Sequence, residues 1–210
     1  MDSRITRHFP LGSTAVDVGC GSGKHTNHLA ELYQRVIGLD INATAIKEGT
    51  HPPDRWSFIH ADFRYNIPLK SDLADVVFAN QVIEHIVDPH IFVAEVFRII
   101  RPGGTAVFTT PNIRYIKFLW RIIVAGRGPK TAGVKCSDSG WDHGHVCYFT
   151  ARDMSELLES AGFVNIKHEA LIMKKNSGLG LRSIVDSFSS FSLVYEFLAG
   201  NLMVIAEKKG

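Results

Sequence analysis

The sequence predicts an α/β fold, a single open and mostly parallel sheet of seven strands with helices on both faces. Three observations predict it. Short apolar strands alternate with amphipathic helices, the connections between most of them are brief, and no internal repeat or low-complexity linker interrupts the 210 residues. With 45% apolar and 21% charged residues the chain has the makeup of one globular domain. At this length roughly 70% of the unfolded chain's surface can be buried, so neither disulfide nor metal is required as a staple.

The elements follow in order. Thr14 to Val18 reads as a strand that runs into a glycine turn, and a helix follows from about Lys24 to Tyr33. Arg35 to Leu39 is a second strand ending on Asp40, and the helix from about Ala43 to Glu48 stops at His51-Pro52-Pro53, which cannot continue it. Trp56 to His60 is a third strand. Asp75 to Ala79 is a fourth, nearly continuous in apolar character, as a strand covered on both faces should be. Asp88 then opens a helix as its cap, with Pro89 in the first turn, and Pro102-Gly103-Gly104 ends it near Arg101. Thr105 to Thr110 is the fifth strand, halted by Pro111. Thr150 with Asp153 forms a capping box for a helix that runs to Ala161 and closes at Gly162. Phe163 to Glu169 and Leu202 to Glu207 supply the last two strands. Residues 1–210 thus make one domain with lid-like insertions at about 112–149 and 178–200, both near the sheet edge where such folds bind ligands.

Composition excludes several classes. A formal charge of +2 is unlike a general nucleic-acid binder, whose domain pI usually exceeds about 9. No apolar run reaches the roughly 18 residues of a membrane span, and the first residues lack a secretory signal's apolar stretch. Three cysteines, Cys20, Cys136 and Cys147, form an odd, sparse set that fits a reducing, cytoplasmic setting.

Chemistry concentrates in VDVGCGSGKHT, residues 16–26, which sets Gly19, Gly21 and Gly23 between a strand and a helix. Such a loop lets the backbone approach an anionic ligand, and Asp40, about 20 residues on, suits a ribose hydroxyl pair. By itself the loop also admits a dinucleotide. Its spacing is G-x-G-x-G, however, and an acid, Asp17, precedes it inside the first strand.

With VIGLDIN, IHADF, DVVFANQVIEHIVDP and IIRPGGTAVFTTPN following in order, the chain resembles the class I S-adenosylmethionine-dependent methyltransferases over essentially its whole length. In particular it resembles the small-molecule O-methyltransferases of the quinone-biosynthesis type. The resemblance implies a Rossmann-like sheet with an antiparallel last strand and S-adenosylmethionine as cofactor. It further implies that the backbone of Gly19, Cys20, Gly21 and Gly23 cradles the methionine portion, with Asp17 and the carbonyl of Asn80 near its ammonium end. Asp40 would accept both ribose hydroxyls, Asp62 would bind the adenine amino group, and Ile41 and Phe63 would pack on the ring. The competing reading makes Asp40 and Asp62 helix caps and Phe63 a core residue.

Methyl transfer needs alignment of the nucleophile and, for a hydroxyl, removal of its proton. His85 lies in the loop leaving the fourth strand and is the leading base, unless it serves to fix that loop. His143 and His145 are the next candidates, as residues of the substrate pocket. Cys136, His143, His145 and Cys147 do not match the usual zinc spacings, so no metal is expected from them. Between Asn112 and Lys135 stand six basic residues and no acidic one, interleaved with aromatic and aliphatic residues. That pattern suits a lid helix, a cover for a lipid-linked or glycan substrate, or a peripheral membrane contact. Leu181, Ile184, Val185, Phe188, Phe191, Tyr195 and Leu198 form a stripe to be buried against the lid, a membrane or a second subunit of a homodimer. The expected activity is methyl transfer to a small molecule, at oxygen; the readings from other classes are a non-catalytic nucleotide-binding protein and a nicotinamide dehydrogenase.

Overall fold

The computed structural model describes residues 1, 3–43, 56–126, 128, 145–171 and 190–210. Seven strands form one sheet: β1 (Thr14–Val18), β2 (Arg35–Asp40), β3 (Ser57–His60), β4 (Ala74–Asn80), β5 (Ile100–Pro111), β6 (Phe163–Leu171) and β7 (Asn201–Lys208). Their order is β3-β2-β1-β4-β5-β7-β6. The first five are parallel, while β7 runs antiparallel to both β5 and β6. The expected mostly parallel sheet with an antiparallel last strand is therefore present. Among the described residues five α-helices accompany it: α1 (Ser3–Thr6), α2 (Lys24–Leu29), α3 (Pro89–Ile99), α4 (Ile116–Ile123) and α5 (Ala151–Ser160).

Alternation along each strand divides the core between two faces. Val16, Val18, Val77 and Ala79 join Phe92, Val96, Met154 and Leu158 of α3 and α5 on one side. Ala15, Val76 and Phe78 turn to the other, where Ile5, Leu29 and Tyr33 cover them. Period-two alternation with both faces covered explains why β1 and β4 are buried at every central position.

Caps were readable, and several ends moved. Asp88 Oδ1 accepts from the N–H groups of His90 at 3.1 Å and Ile91 at 3.2 Å. Thr150 Oγ1 accepts from the Asp153 N–H while Asp153 Oδ2 accepts from the Thr150 N–H, a complete capping box. α3 ends at Ile99, two residues before Arg101, because Pro102 pushes its predecessor out of the helical region, and β5 begins at once. α2 ends at Leu29 and continues only as turns to Tyr33, whose N–H donates to the Leu29 carbonyl.

The apolar stripe of the second insertion also departs from expectation. Leu181, Ile184, Val185 and Phe188 lie outside the described residues, as do residues 44–48 of the predicted second helix. Of the remaining stripe positions, Tyr195 is half-buried and packs against the core, while Phe191 is 63% and Leu198 41% exposed and Val194 and Ala199 are buried instead. A π-turn at Val194–Leu198 adds a residue to the turn and shifts the inward face off the 3.6-residue period.

Candidate active site

The carboxyl ends of β1, β2 and β4 meet where the strand order reverses, the place at which open α/β sheets hold ligands. The glycine loop leaves β1 there. Gly19 sits at φ 73°, and a Cβ on it would come within 2.4 Å of a Val82 methyl, so the loop packs against the chain leaving β4. Gly21, at φ 52°, differs: nothing lies within 4 Å of its Cβ position. That side of the loop is a cradle of bare backbone, open to a ligand.

Asp40 ties the cradle to β2. Its Oδ2 accepts from the Gly21 N–H at 2.7 Å and its Oδ1 from the Asn42 N–H at 2.8 Å, which leaves each oxygen with acceptor capacity. The N–H groups of Gly19 and Cys20 donate to the Leu39 carbonyl. Cys20 contributes its backbone, because its thiol is buried and burial pushes its pKa up. Asp17 is 1% exposed and accepts from Thr26 Oγ1 at 2.6 Å. Burial raises its carboxyl to about 7, against the Thr26 hydrogen bond, and the charge of Asp40 adds to the rise.

The residues expected on the adenine side are less uniform. Asp62 is exposed and held by Arg64, whose Nε donates at 2.8 Å and Nη2 at 2.6 Å, and that bonding lowers its carboxyl to about 2. Ile41 is 51% exposed at the end of β2, and His60 Nε2 donates to its carbonyl. Phe63 takes the competing place: it is 7% exposed and packs on Phe92 in the core, which leaves little of its ring to stack on a base.

At the end of β4, Asn80 Oδ1 accepts from Thr109 Oγ1 at 2.7 Å, and the same hydroxyl accepts from the Gln81 N–H at 3.2 Å. Gln81 adopts φ 56°, a strained value for a residue with a side chain. Neither Thr109 nor Gln81 was singled out from sequence, and no spacing pattern marks them.

Beyond Gln81, a turn at Ile83–His85 brings the histidines together. The Glu84 carbonyl accepts from the N–H groups of Val146 at 2.8 Å and Cys147 at 3.0 Å, which fastens the late loop over β4. The rings of His85 and His145 meet edge to face with centroids 4.9 Å apart; His85 is exposed and His145 buried. Glu84, which sequence reasoning missed, is 1% exposed, and burial raises its carboxyl to about 7. Its Oε2 accepts from Thr110 Oγ1 at 3.3 Å, while Oε1 is buried without a hydrogen-bond partner. Ligand atoms of Glu84, His85 and His145 lie within 4.8 Å of one another, so this trio, among the described residues, could gather round a cation. It is not the set weighed from sequence. Cys136 and His143 lie outside the described residues, and Cys147 Sγ donates to the Ile86 carbonyl at 3.3 Å.

A sheet of this order, with a glycine cradle after β1 and an acid ending β2, is similar to that of the class I S-adenosylmethionine-dependent methyltransferases. The methyltransferase-domain family model matches residues 16–108. The chain is 34% identical over 161 residues to a "Probable S-adenosylmethionine-dependent methyltransferase" of Mycolicibacterium smegmatis, covering 74% of this chain and 54% of that one. It is 26% identical over 220 residues to a ubiquinone biosynthesis O-methyltransferase of Maricaulis maris, covering 99% and 79%. The chain thus spans about half the length of the first relative and most of the second. Among solved structures, an S-adenosylmethionine-dependent methyltransferase of Mesorhizobium loti matches with a TM-score of 0.68 at 17% identity, covering 98% and 96%. One of Methanosarcina mazei matches at 0.67 and 17%, covering 100% and 98%. The open backbone at Gly21 and the unfilled acceptor capacity of Asp40 fit the family's cofactor, S-adenosylmethionine.

Proposed function

We propose that the protein transfers a methyl group from S-adenosylmethionine to a hydroxyl oxygen of a small-molecule acceptor. The observation that carries this reading is the pair of imidazoles, His85 and His145, held past the end of β4, three residues beyond the Val82 that packs against Gly19. Bound S-adenosylmethionine supplies an electrophilic methyl on a sulfonium. The chain's part is to hold that methyl in line with the acceptor and to take the acceptor's proton. Gly19 to Gly23 and Asn80 hold the methionine end, with Asp17 facing the ammonium; Asp40 holds the ribose. Asp62 and Ile41 border the adenine, and Asp62 serves there once Arg64 yields its hold. His85, the exposed imidazole, accepts the hydroxyl proton, and His145 orients it from the buried side. The relatives named for ubiquinone O-methylation support oxygen as the acceptor atom. No nucleic-acid substrate is invoked.

His85→Gln should lower kcat by roughly 100-fold, the scale of a lost general base, while the Kd for S-adenosylmethionine changes little. Turnover and calorimetry on the same preparation check it, and unchanged turnover assigns His85 to the loop. Chelation separates the two uses of the trio. Turnover that survives EDTA places the proton on imidazole alone; turnover lost and restored by a divalent ion places a cation between Glu84, His85 and His145.

A further inference from the structure

From the exposed face of α4 we infer a docking surface for an anionic lipid bilayer, a property beyond methyl transfer itself. No residue of α4 is fully buried. Ile116 is 51%, Trp120 63%, Ile123 76% and the following Val124 57% exposed. These four stand at i, i+4, i+7 and i+8, one continuous stripe along the helix, whereas single exposed apolar residues scattered over a surface would need no explanation. Phe118, Leu119 and Ile122, on the opposite side, are half-buried, and Phe118 packs edge to face on Tyr115. The helix therefore half-buries one apolar side and turns a second apolar side outward.

Charge selects the occupant. Lys117 and Arg121 flank the outward stripe and line a shallow groove with Ile116 and Trp120. From Asn112 to Lys135 the sequence carries six basic residues and no acidic one; of these Arg114 is paired with Glu196, and Arg127, Lys130 and Lys135 lie outside the described residues. A second copy would set two basic faces against each other. An anionic bilayer answers both features at once, taking the aliphatic residues below the headgroups, Trp120 at the interface and the cations among the phosphates. Lysine and arginine stems lie along such a stripe while their heads reach the charged layer.

The surface is also placed at the active-site edge. α4 leaves the carboxyl end of β5 through Asn112, which bridges to Phe149 and whose side-chain amide donates to the carbonyls of Tyr195, Glu196 and Ala199. Phe149 is two residues past Cys147, whose N–H is fastened to the Glu84 carbonyl. Docking would bring the proposed acceptor side to the lipid.

The test uses the whole chain and vesicles of phosphatidylcholine with or without phosphatidylserine. Sedimentation with the serine-containing vesicles is expected, weakened by salt, together with a blue shift of tryptophan emission that disappears in Trp120→Phe. Lys117→Glu with Arg121→Glu should lower the partition coefficient by about tenfold or more, since each cation near such a surface contributes on the order of 1 kcal/mol. Ile123→Asp should do the same. All these positions are exposed, so circular dichroism and S-adenosylhomocysteine binding should stay at the parent's level, which keeps the outcome separate from the methyltransferase reading. Absence of sedimentation at low salt overturns the proposal. So does equal binding to both vesicle types, full binding by the charge-reversed variant, or a dimer in solution that Ile123→Asp splits.

Discussion

Asp40→Ala should raise the Kd for S-adenosylmethionine by roughly 100-fold, equivalent to about 2.7 kcal/mol, with a much smaller loss of thermal stability. Two contributions add. The carboxylate would lose its charge-assisted bonds to the ribose, at about 1.5–3 kcal/mol for a hydrogen bond to a charged group. It would also release the Gly21 and Asn42 N–H groups, which it now holds at 2.7 and 2.8 Å, so the cradle would lose its fixed shape before any ligand arrives. Asp40→Asn should be nearly as damaging. One of its two positions would present an amide donor to an N–H donor. Stability is expected to change less because Asp40 is only half-buried at a strand end and both freed N–H groups can reach water. Calorimetry with S-adenosylhomocysteine measures the affinity without turnover; a change below about threefold would remove Asp40 from the ribose site.

That the cradle and its acid could be read from sequence has a physical cause. Positive φ at a turn admits little but glycine, and a strand buried on both faces must be apolar nearly throughout, so Gly19, Gly21 and DVVFA each leave a trace in residue type. The Glu84 cluster leaves none. It is assembled by backbone bonds from Val146 and Cys147 to Glu84 across some sixty residues of chain, and a backbone bond does not constrain which side chain is present. Thr109 is similar, since its hydroxyl serves Asn80 and Gln81 across a strand pair whose register is set only on folding. Phe63 is ambiguous in the sequence because an aromatic ring suits a core as well as a base, and in the fold it packs on Phe92. The stripe near residue 194 misled for a different reason. A π-turn breaks the period on which the inference rests.

Asp17→Asn should stabilise the ligand-free protein at pH 8 and weaken cofactor binding in the same preparation. Asp17 is 1% exposed, and burial lifts its carboxyl to about 7 in the fold, against about 3.9 in an unfolded chain. The sign follows from that order. The folded state holds the proton more tightly, so the contribution to stability is fully present below about pH 4 and is lost as pH rises through about 7. Asparagine does not ionise and can still accept from Thr26 Oγ1, so the variant escapes the loss. Its advantage over the parent should be absent near pH 4, grow between pH 4 and 7 and level off above, reaching on the order of 2–4 kcal/mol at about 1.4 kcal/mol per pKa unit. Denaturant midpoints across that range measure it. A buried carboxylate that weakens the empty fold is what a cationic ligand group would compensate, so the parent should release a proton on binding S-adenosylmethionine near pH 7. Calorimetry in buffers of different ionisation enthalpy reads that proton directly, and the variant should release none from this position while binding roughly tenfold more weakly. A variant less stable than the parent at pH 8, or a parent that binds without proton release, would make Asp17 a packing element for Thr26 with no part in holding the ammonium.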